Sequence, residues 1–236
     1  MRFLYYNICR GGEDRLKLLT EVSIAAKADV IGITEANGWE VGGGTLQNIL
    51  HSLSLSHAFL SESNTRYALA LLSKEPPSVT TSLRSQMWHA AIYAHFLRST
   101  IEIAVLLVHL NPKSESSRLE ELTLLMEAAL SFPYTLILGD FNSLSPHDPY
   151  DREQLFQTLQ TRGVKKFGET SLAFDAISFI EGKGFLDVAR QLNKPFQPTV
   201  PTSFSTETVH AEPIRIDYAF ISPLLAPFLE NYAVVM

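Results

Sequence analysis

Several short aliphatic runs in this chain each stop at a single polar side chain, and that pattern narrows the folds open to it. Val30-Ile31-Gly32-Ile33-Thr34 stops at Glu35, Val105-Leu106-Leu107-Val108 at His109, and Leu136-Ile137-Leu138-Gly139 at Asp140. Tyr5-Tyr6 leads to Asn7 in the same manner. Runs this short and this apolar read as buried strands. Strands are expected at 2–8, 29–34, 67–73, 89–97, 100–110, 134–138, 214–222 and 232–235, with Arg98-Ser99 turning a hairpin. Helical spacing appears between them. Leu16, Leu19, Val22 and Ala26 mark a helix over 13–27, and others are expected at 46–53, 114–130, 151–161 and 172–181. Ser116 or Ser117 is expected to cap the 114–130 helix, with Glu120 or Glu121 reaching back. Antiparallel-looking strands mixed with crossover helices favour a layered α/β sandwich over a purely parallel sheet.

Composition removes several function classes. The chain has 236 residues, of which 46% are hydrophobic and 19% charged, so disorder is excluded and one domain over 1–236 with a full core is expected. Nineteen Lys+Arg against twenty-five Asp+Glu leave a net charge of −6, which argues against coating nucleic acid by charge alone. An enzyme that meets phosphates through a bound cation stays open. A lone cysteine, Cys9, makes a reducing compartment the expectation, and no secretory leader or membrane-length apolar run is seen, so the cytoplasm is the expected location. Gly42-Gly43-Gly44 lacks the Lys-Ser/Thr ending of a nucleotide-binding loop.

The polar residues at the strand ends carry the chemistry. Glu35 closing a buried strand suits a hard cation, since magnesium takes one or two carboxylates and keeps several waters. Asp140 and Asn142, two apart in an extended segment, would face one side, where a carboxylate can orient water and an amide can hold a phosphoryl oxygen. His109 could donate to a phosphate or a leaving oxygen, while Arg118 reads as a solvated helix residue. In Ile214-Arg215-Ile216-Asp217-Tyr218, alternation puts Arg215 and Asp217 on one face. Asp217 then needs a partner, either Arg215 or a histidine. Trp39, Trp88 and Tyr67 are expected to pack in the interior.

Taken in order, Asn7, Glu35, His109-Leu110-Asn111, Gly139-Asp140-Phe141-Asn142 and Arg215-Ile216-Asp217-Tyr218 resemble the endonuclease/exonuclease/phosphatase superfamily, from residue 4 to 221. That group includes pancreatic deoxyribonuclease, apurinic-site repair endonucleases, neutral sphingomyelinases and inositol polyphosphate phosphatases. The resemblance implies a four-layer α/β/β/α sandwich of two mixed sheets with the site among the loops at one end. It also implies a metal-dependent phosphoesterase acting on a phosphodiester or phosphomonoester. Glu35 would bind Mg²⁺ or Mn²⁺ with Asn7 in its shell, and Asp140 would orient or deprotonate the attacking water. Asn142 and His109 would hold the phosphate, Asn111 and Arg118 would add substrate contacts, and Asp217 would buttress a second histidine. The substrate could be nucleic acid, phospholipid or an inositol phosphate.

Two departures accompany the resemblance. Cys9 stands where some members carry an aspartate, which speaks against a second metal. The family closes on a Ser-Asp-His strand, and no such motif follows Tyr218. The last strand and the histidine facing Asp217 are therefore expected to be missing, with His147 and His210 as stand-ins. The competing expectation is a truncated, non-catalytic scaffold that binds a phosphorylated ligand or a protein, with an exposed sheet edge open to a second copy.

Overall fold

The computed structural model describes residues 1–40, 44–202 and 212–235. The aliphatic runs form strands, and they sort into two sheets. The smaller holds β1 (Phe3–Asn7), β2 (Val30–Thr34), β3 (His57–Ser61) and β4 (Leu69–Ser73), in the order β1-β2-β4-β3. The larger holds β5 (Val79–Leu83), β6 (Ala90–Arg98), β7 (Ile101–His109), β8 (Thr135–Asp140), β9 (Leu186–Asp187) and β10 (Asp217–Ile221), in the order β5-β6-β7-β8-β10-β9. β1 pairs parallel with β2, and β7 with β8, while the other pairs are antiparallel. Parallel neighbours need a crossover. Helices α1 (Leu16–Ala26) and α3 (Glu115–Leu130) provide the two.

Alternation along the strands builds the layers. On β7, Val105 and Leu107 meet Val30, Leu69 and Leu71 in the core between the sheets. Leu106 and Val108 face the other way, against Leu122 and Leu125 of α3 and Ile177 and Ile180 of α5 (Asp175–Gly182). On the far side, Ile31 and Ile33 pack with Leu19 of α1 and with Ile49 and Leu50 of α2 (Gly44–Leu53). Both faces of the central strands are covered, which is why their sequences are apolar throughout. Helix, sheet, sheet, helix is the four-layer sandwich expected. Two more helices, α4 (Arg152–Thr161) and α6 (Val188–Gln191), complete the set. α4 seats Leu155 and Leu159 against Phe167, Ile214 and Ile216.

The differences from expectation have physical reasons. β3 and β5 are outermost strands with partly exposed faces, and neither carries a long aliphatic run to announce it. Residues 232–235 form no strand. The start of the first helix is instead a 3₁₀ turn at Arg10–Arg15, and α5 begins three residues later than expected. α3 is capped by Ser114, whose hydroxyl accepts from Ser117 N at 3.2 Å, and Glu121 is used elsewhere. Residues 41–43, with two of the three loop glycines, lie outside the described residues. β1 is the outer strand of its sheet, and an open groove of about 1700 Å³ runs beside it to Asp140 and Asp217.

Candidate active site

Register across the larger sheet lines up three of the expected residues. His109 on β7 lies opposite Asp140 on β8, and Asp140 lies opposite Asp217 on β10. In the smaller sheet Asn7 is opposite Thr34, and Glu35 follows directly. The two rims meet on one amide: Nδ2 of Asn7 donates to Oε1 of Glu35 at 3.2 Å and to Oδ2 of Asp140 at 3.1 Å. Carboxylates from opposite sheets are thus gathered at one point.

The backbone around them is strained into place. Cys9, Arg10, Glu35 and Asn142 all have φ between +50° and +61°, a region that side chains disfavour. Bonds hold each turn. Gly11 N donates to Glu35 O at 2.7 Å, Arg10 N to Glu35 Oε2 at 3.0 Å, and Asn142 N to Asp140 Oδ1 at 2.8 Å. The extended segment expected from Asp140 to Asn142 therefore ends in a left-handed turn, which folds the amide back onto the carboxylate. Gly139 (φ +151°) is required by the neighbouring strand, since a Cβ there would sit 1.9 Å from Val108 O.

His109 is buried, with Nε2 3.7 Å from Asp140 Oδ2 and Nδ1 facing no partner among the described residues. Burial pushes its pKa down to about 3, and the Lys166 charge adds to this. His89, unanticipated from the sequence, stacks on it with ring centroids 4.0 Å apart and accepts from or donates to Thr65 Oγ1 at 2.6 Å. Burial and the His109 charge lower His89 to about 3 as well. Both rings are neutral in use. Folded pKa values below the ordinary 6.5 mean that the stability they contribute is complete above pH 6.5 and is lost as pH falls toward 3. A histidine-selective NMR titration is expected to show neither ring protonating above about pH 5; titration near 6.5 would place them in solvent.

Asp217 is held by a different set of partners from those expected. The chain breaks strand geometry at Arg215 and Ile216, so Arg215 turns over the Tyr218 ring, 4.4 Å from its centroid. Its guanidinium pairs with Asp148 and Asp187, each at 2.8 Å, and not with Asp217. Burial raises the pKa of Asp217, the Asp140 charge raises it further, and the hydroxyls of Thr199 and Tyr5 partly offset both. Its Oδ1 faces no partner among the described residues. Of the stand-in histidines, His147 bonds to Glu181 at 3.0 Å, and His210 lies outside the described residues.

The remaining expected residues form a bracket under the site. Arg118 is fully buried, because Glu115 and two carbonyls surround its guanidinium, so the solvated residue expected at that position is corrected. Nε and Nη2 donate to Glu115 Oε2 at 2.9 and 2.7 Å, Nη1 donates to Asn111 O at 2.9 Å, and Nη2 also to Lys166 O. Glu121 accepts from Asn111 N at 2.7 Å and Trp88 N at 2.5 Å. Asn111 Oδ1 accepts from Lys113 N at 2.8 Å. Asn142 donates from Nδ2 to Leu110 O at 3.1 Å and accepts at Oδ1 from Lys166 Nζ at 2.9 Å. Trp39 is buried as expected, Trp88 is exposed, and Tyr67 sets its edge against both site histidines.

Among the described residues no group of three or more His, Cys, Asp and Glu is placed to hold a metal. A hard cation does not need one. Magnesium takes one or two carboxylates and keeps most of its waters, so Glu35 fits such an ion, with Asn7 bonded to Glu35 through Nδ2 while its Oδ1 accepts from Cys9 N at 3.0 Å.

A search among curated proteins finds no match to this chain. Solved structures that resemble it include an AP endonuclease from Archaeoglobus fulgidus, at TM-score 0.65 and 18% identity, covering 95% of this chain and 86% of that one. Another is D. rerio TDP2 complexed with single strand DNA product, at 0.66 and 16%, covering 94% and 83%. A third is an endonuclease/exonuclease/phosphatase family protein from Leptotrichia buccalis, at 0.62 and 15%, covering 94% and 87%. These identities speak for the fold. The model of the Endonuclease/Exonuclease/phosphatase family matches residues 4–229, and the chain belongs to that family, whose members are generally metal-dependent phosphoesterases and nucleases.

Proposed function

We propose that this protein hydrolyses a phosphate ester by attack of water, with Glu35 and Asn7 holding Mg²⁺ or Mn²⁺. The observation that carries the reading is the Asn7 amide joining Glu35 to Asp140, with His109 and Asp217 in register on either side of Asp140. The cation, when bound, supplies positive charge against the charge developing on a phosphoryl oxygen.

The side chains do the rest. Asp140 accepts from Asn142 N at Oδ1 and from Asn7 Nδ2 at Oδ2, and the remaining lone pair of Oδ2, on the His109 side, orients the water and takes its proton. His109 is neutral and carries one N–H. With Nδ1 facing no acceptor, the tautomer protonated at Nε2 puts that donor on the Asp140 side, where it meets a phosphoryl oxygen. Asn142, fixed by Leu110 O and Lys166, offers its second amide hydrogen to the same group. Arg118 and Asn111 act as braces, since the guanidinium is buried and the Asn111 oxygen is already engaged. Asp217, whose pKa burial and the Asp140 charge raise, stands in register beside Asp140.

For the substrate, likeness to an AP endonuclease and to TDP2 bound to a DNA product supports nucleic acid over phospholipid or inositol phosphate. No helix among the described residues is long and apolar enough to cross a membrane.

Hydrolysis of bis-p-nitrophenyl phosphate that requires Mg²⁺ and stops on chelation tests the reading. Glu35→Ala is expected to weaken Mg²⁺ binding at least tenfold, or about 1.4 kcal/mol, by calorimetry; unchanged affinity would remove Glu35 from the ion. A second reading, a scaffold that binds a phosphorylated ligand without turning it over, is favoured by Oδ1 of Asp217, which has no partner among the described residues. Phosphate binding by a wild type that never hydrolyses any ester would decide for it.

A further inference from the structure

We infer that Lys166 is a substrate-contact residue, its ammonium group binding a non-bridging oxygen of the phosphoryl group on the side of the site away from Glu35. The inference rests on the phosphoesterase reading and adds a residue to it that the strand-end pattern does not contain. Nζ donates to Asn142 Oδ1 at 2.9 Å, which sets a cation beside the Asp140-Phe141-Asn142 turn. Its field reaches both site groups on either side of Asp140, adding to the fall in the pKa of His109 and opposing the rise in that of Asp217.

The placement is built rather than incidental. A surface lysine normally wanders, since its stem carries about 2 kcal/mol of rotamer entropy. Here the backbone is fixed at two points. The buried guanidinium of Arg118 donates to Lys166 O, and the next residue, Phe167, is sunk among Leu155, Leu159 and Ile216. The same guanidinium holds Asn111 O, so the His109-Leu110-Asn111 turn and Lys166 move as one piece. The ammonium lies 4.8 Å from the centroid of the Phe167 ring, a further restraint on its direction. The residue is half-buried.

Electrostatics supplies the reason. Glu35 and Asp140 meet at one rim, and a phosphate ester arriving there is itself an anion. A cation held at Glu35 relieves the repulsion on one flank only. Lys166 relieves it on the other, as a compact point charge of the kind that binds phosphate.

Inorganic phosphate is the probe, because its binding is read without turnover. In Lys166→Met, the dissociation constant for phosphate in the presence of Mg²⁺ is expected to rise at least tenfold, with Mg²⁺ affinity in the absence of phosphate unchanged. Lys166→Arg should recover part of the loss. Lys166→Gln keeps a donor for Asn142 and deletes the charge, so it is expected to fall with Lys166→Met. Wild-type phosphate affinity in Lys166→Gln would overturn the inference, leaving Lys166 as a prop for Asn142, and so would a wild type that binds no phosphate. If the wild type binds phosphate through Lys166 but hydrolyses nothing, the inference stands and the hydrolase reading fails.

Discussion

Asp140→Asn is expected to lower turnover of bis-p-nitrophenyl phosphate by about 10²–10⁴-fold, the usual contribution of a positioned general base. Asparagine keeps the outline of the side chain and can still accept the Asn142 N–H at its oxygen, so the left-handed turn survives. It loses the charge that takes the proton. It also turns an amide nitrogen toward Nδ2 of Asn7 and Nε2 of His109, where a carboxylate oxygen now lies at 3.1 and 3.7 Å. The loss should therefore appear in kcat more than in KM. Paired with Glu35→Ala, the variant separates two roles: Glu35 should govern metal affinity, and Asp140 the rate at saturating metal. Turnover within about threefold of wild type would mean that another group takes the proton, and the row of His109, Asp140 and Asp217 would lose its chemical meaning.

The fold was legible where a residue's environment is set by its own strand. Central strands covered on both faces must be apolar throughout, so β2, β7 and β8 show themselves. Their terminal polar residues could then be read as rim residues, and Asn7, Glu35, His109, Asp140 and Asp217 do stand at one rim. His89 was missed although the same logic reaches it. β6 runs antiparallel to β7, so the residue just before β6 lies at the same rim as the residue that ends β7. A polar residue preceding an aliphatic strand deserved the same reading as one following it.

Other errors arose where loops, not strands, set direction. Simple alternation puts Arg215 on the face of Asp217, but a two-residue break in strand geometry sends it to Asp148 and Asp187. Lys166 follows no strand at all. It reaches the site because Phe167 sinks beneath the sheet end and Arg118 ties down its carbonyl, neither of which has a signature in a single sequence. Glu121, beside Glu120, stands within a helical turn or so of Ser116 and Ser117, which makes it a candidate to reach back to them. The true cap at Ser114 frees it to hold Asn111 and Trp88 instead.

Arg118→Met is expected to cost about 3–5 kcal/mol of unfolding free energy, the range for removing one partner of a buried ion pair. The desolvated carboxylate left behind sets the size of the effect. Glu115 keeps donors at Oε1 from Ser143 Oγ at 2.8 Å and Ala176 N at 2.7 Å, but loses both at Oε2. The carbonyls of Asn111 and Lys166 lose a shared donor at the same stroke. Methionine fills most of the volume, so a cavity is a minor part of the cost. Adding Glu115→Gln to Arg118→Met removes the stranded charge and should return part of the stability. That partial recovery, measured by urea unfolding at pH 7 without metal, identifies the buried charge as the cause. A loss below about 1 kcal/mol for Arg118→Met, the range of exposed pairs, would mean that water already reaches the bracket. Lys166 and the His109-Leu110-Asn111 turn would then be held by something other than this guanidinium.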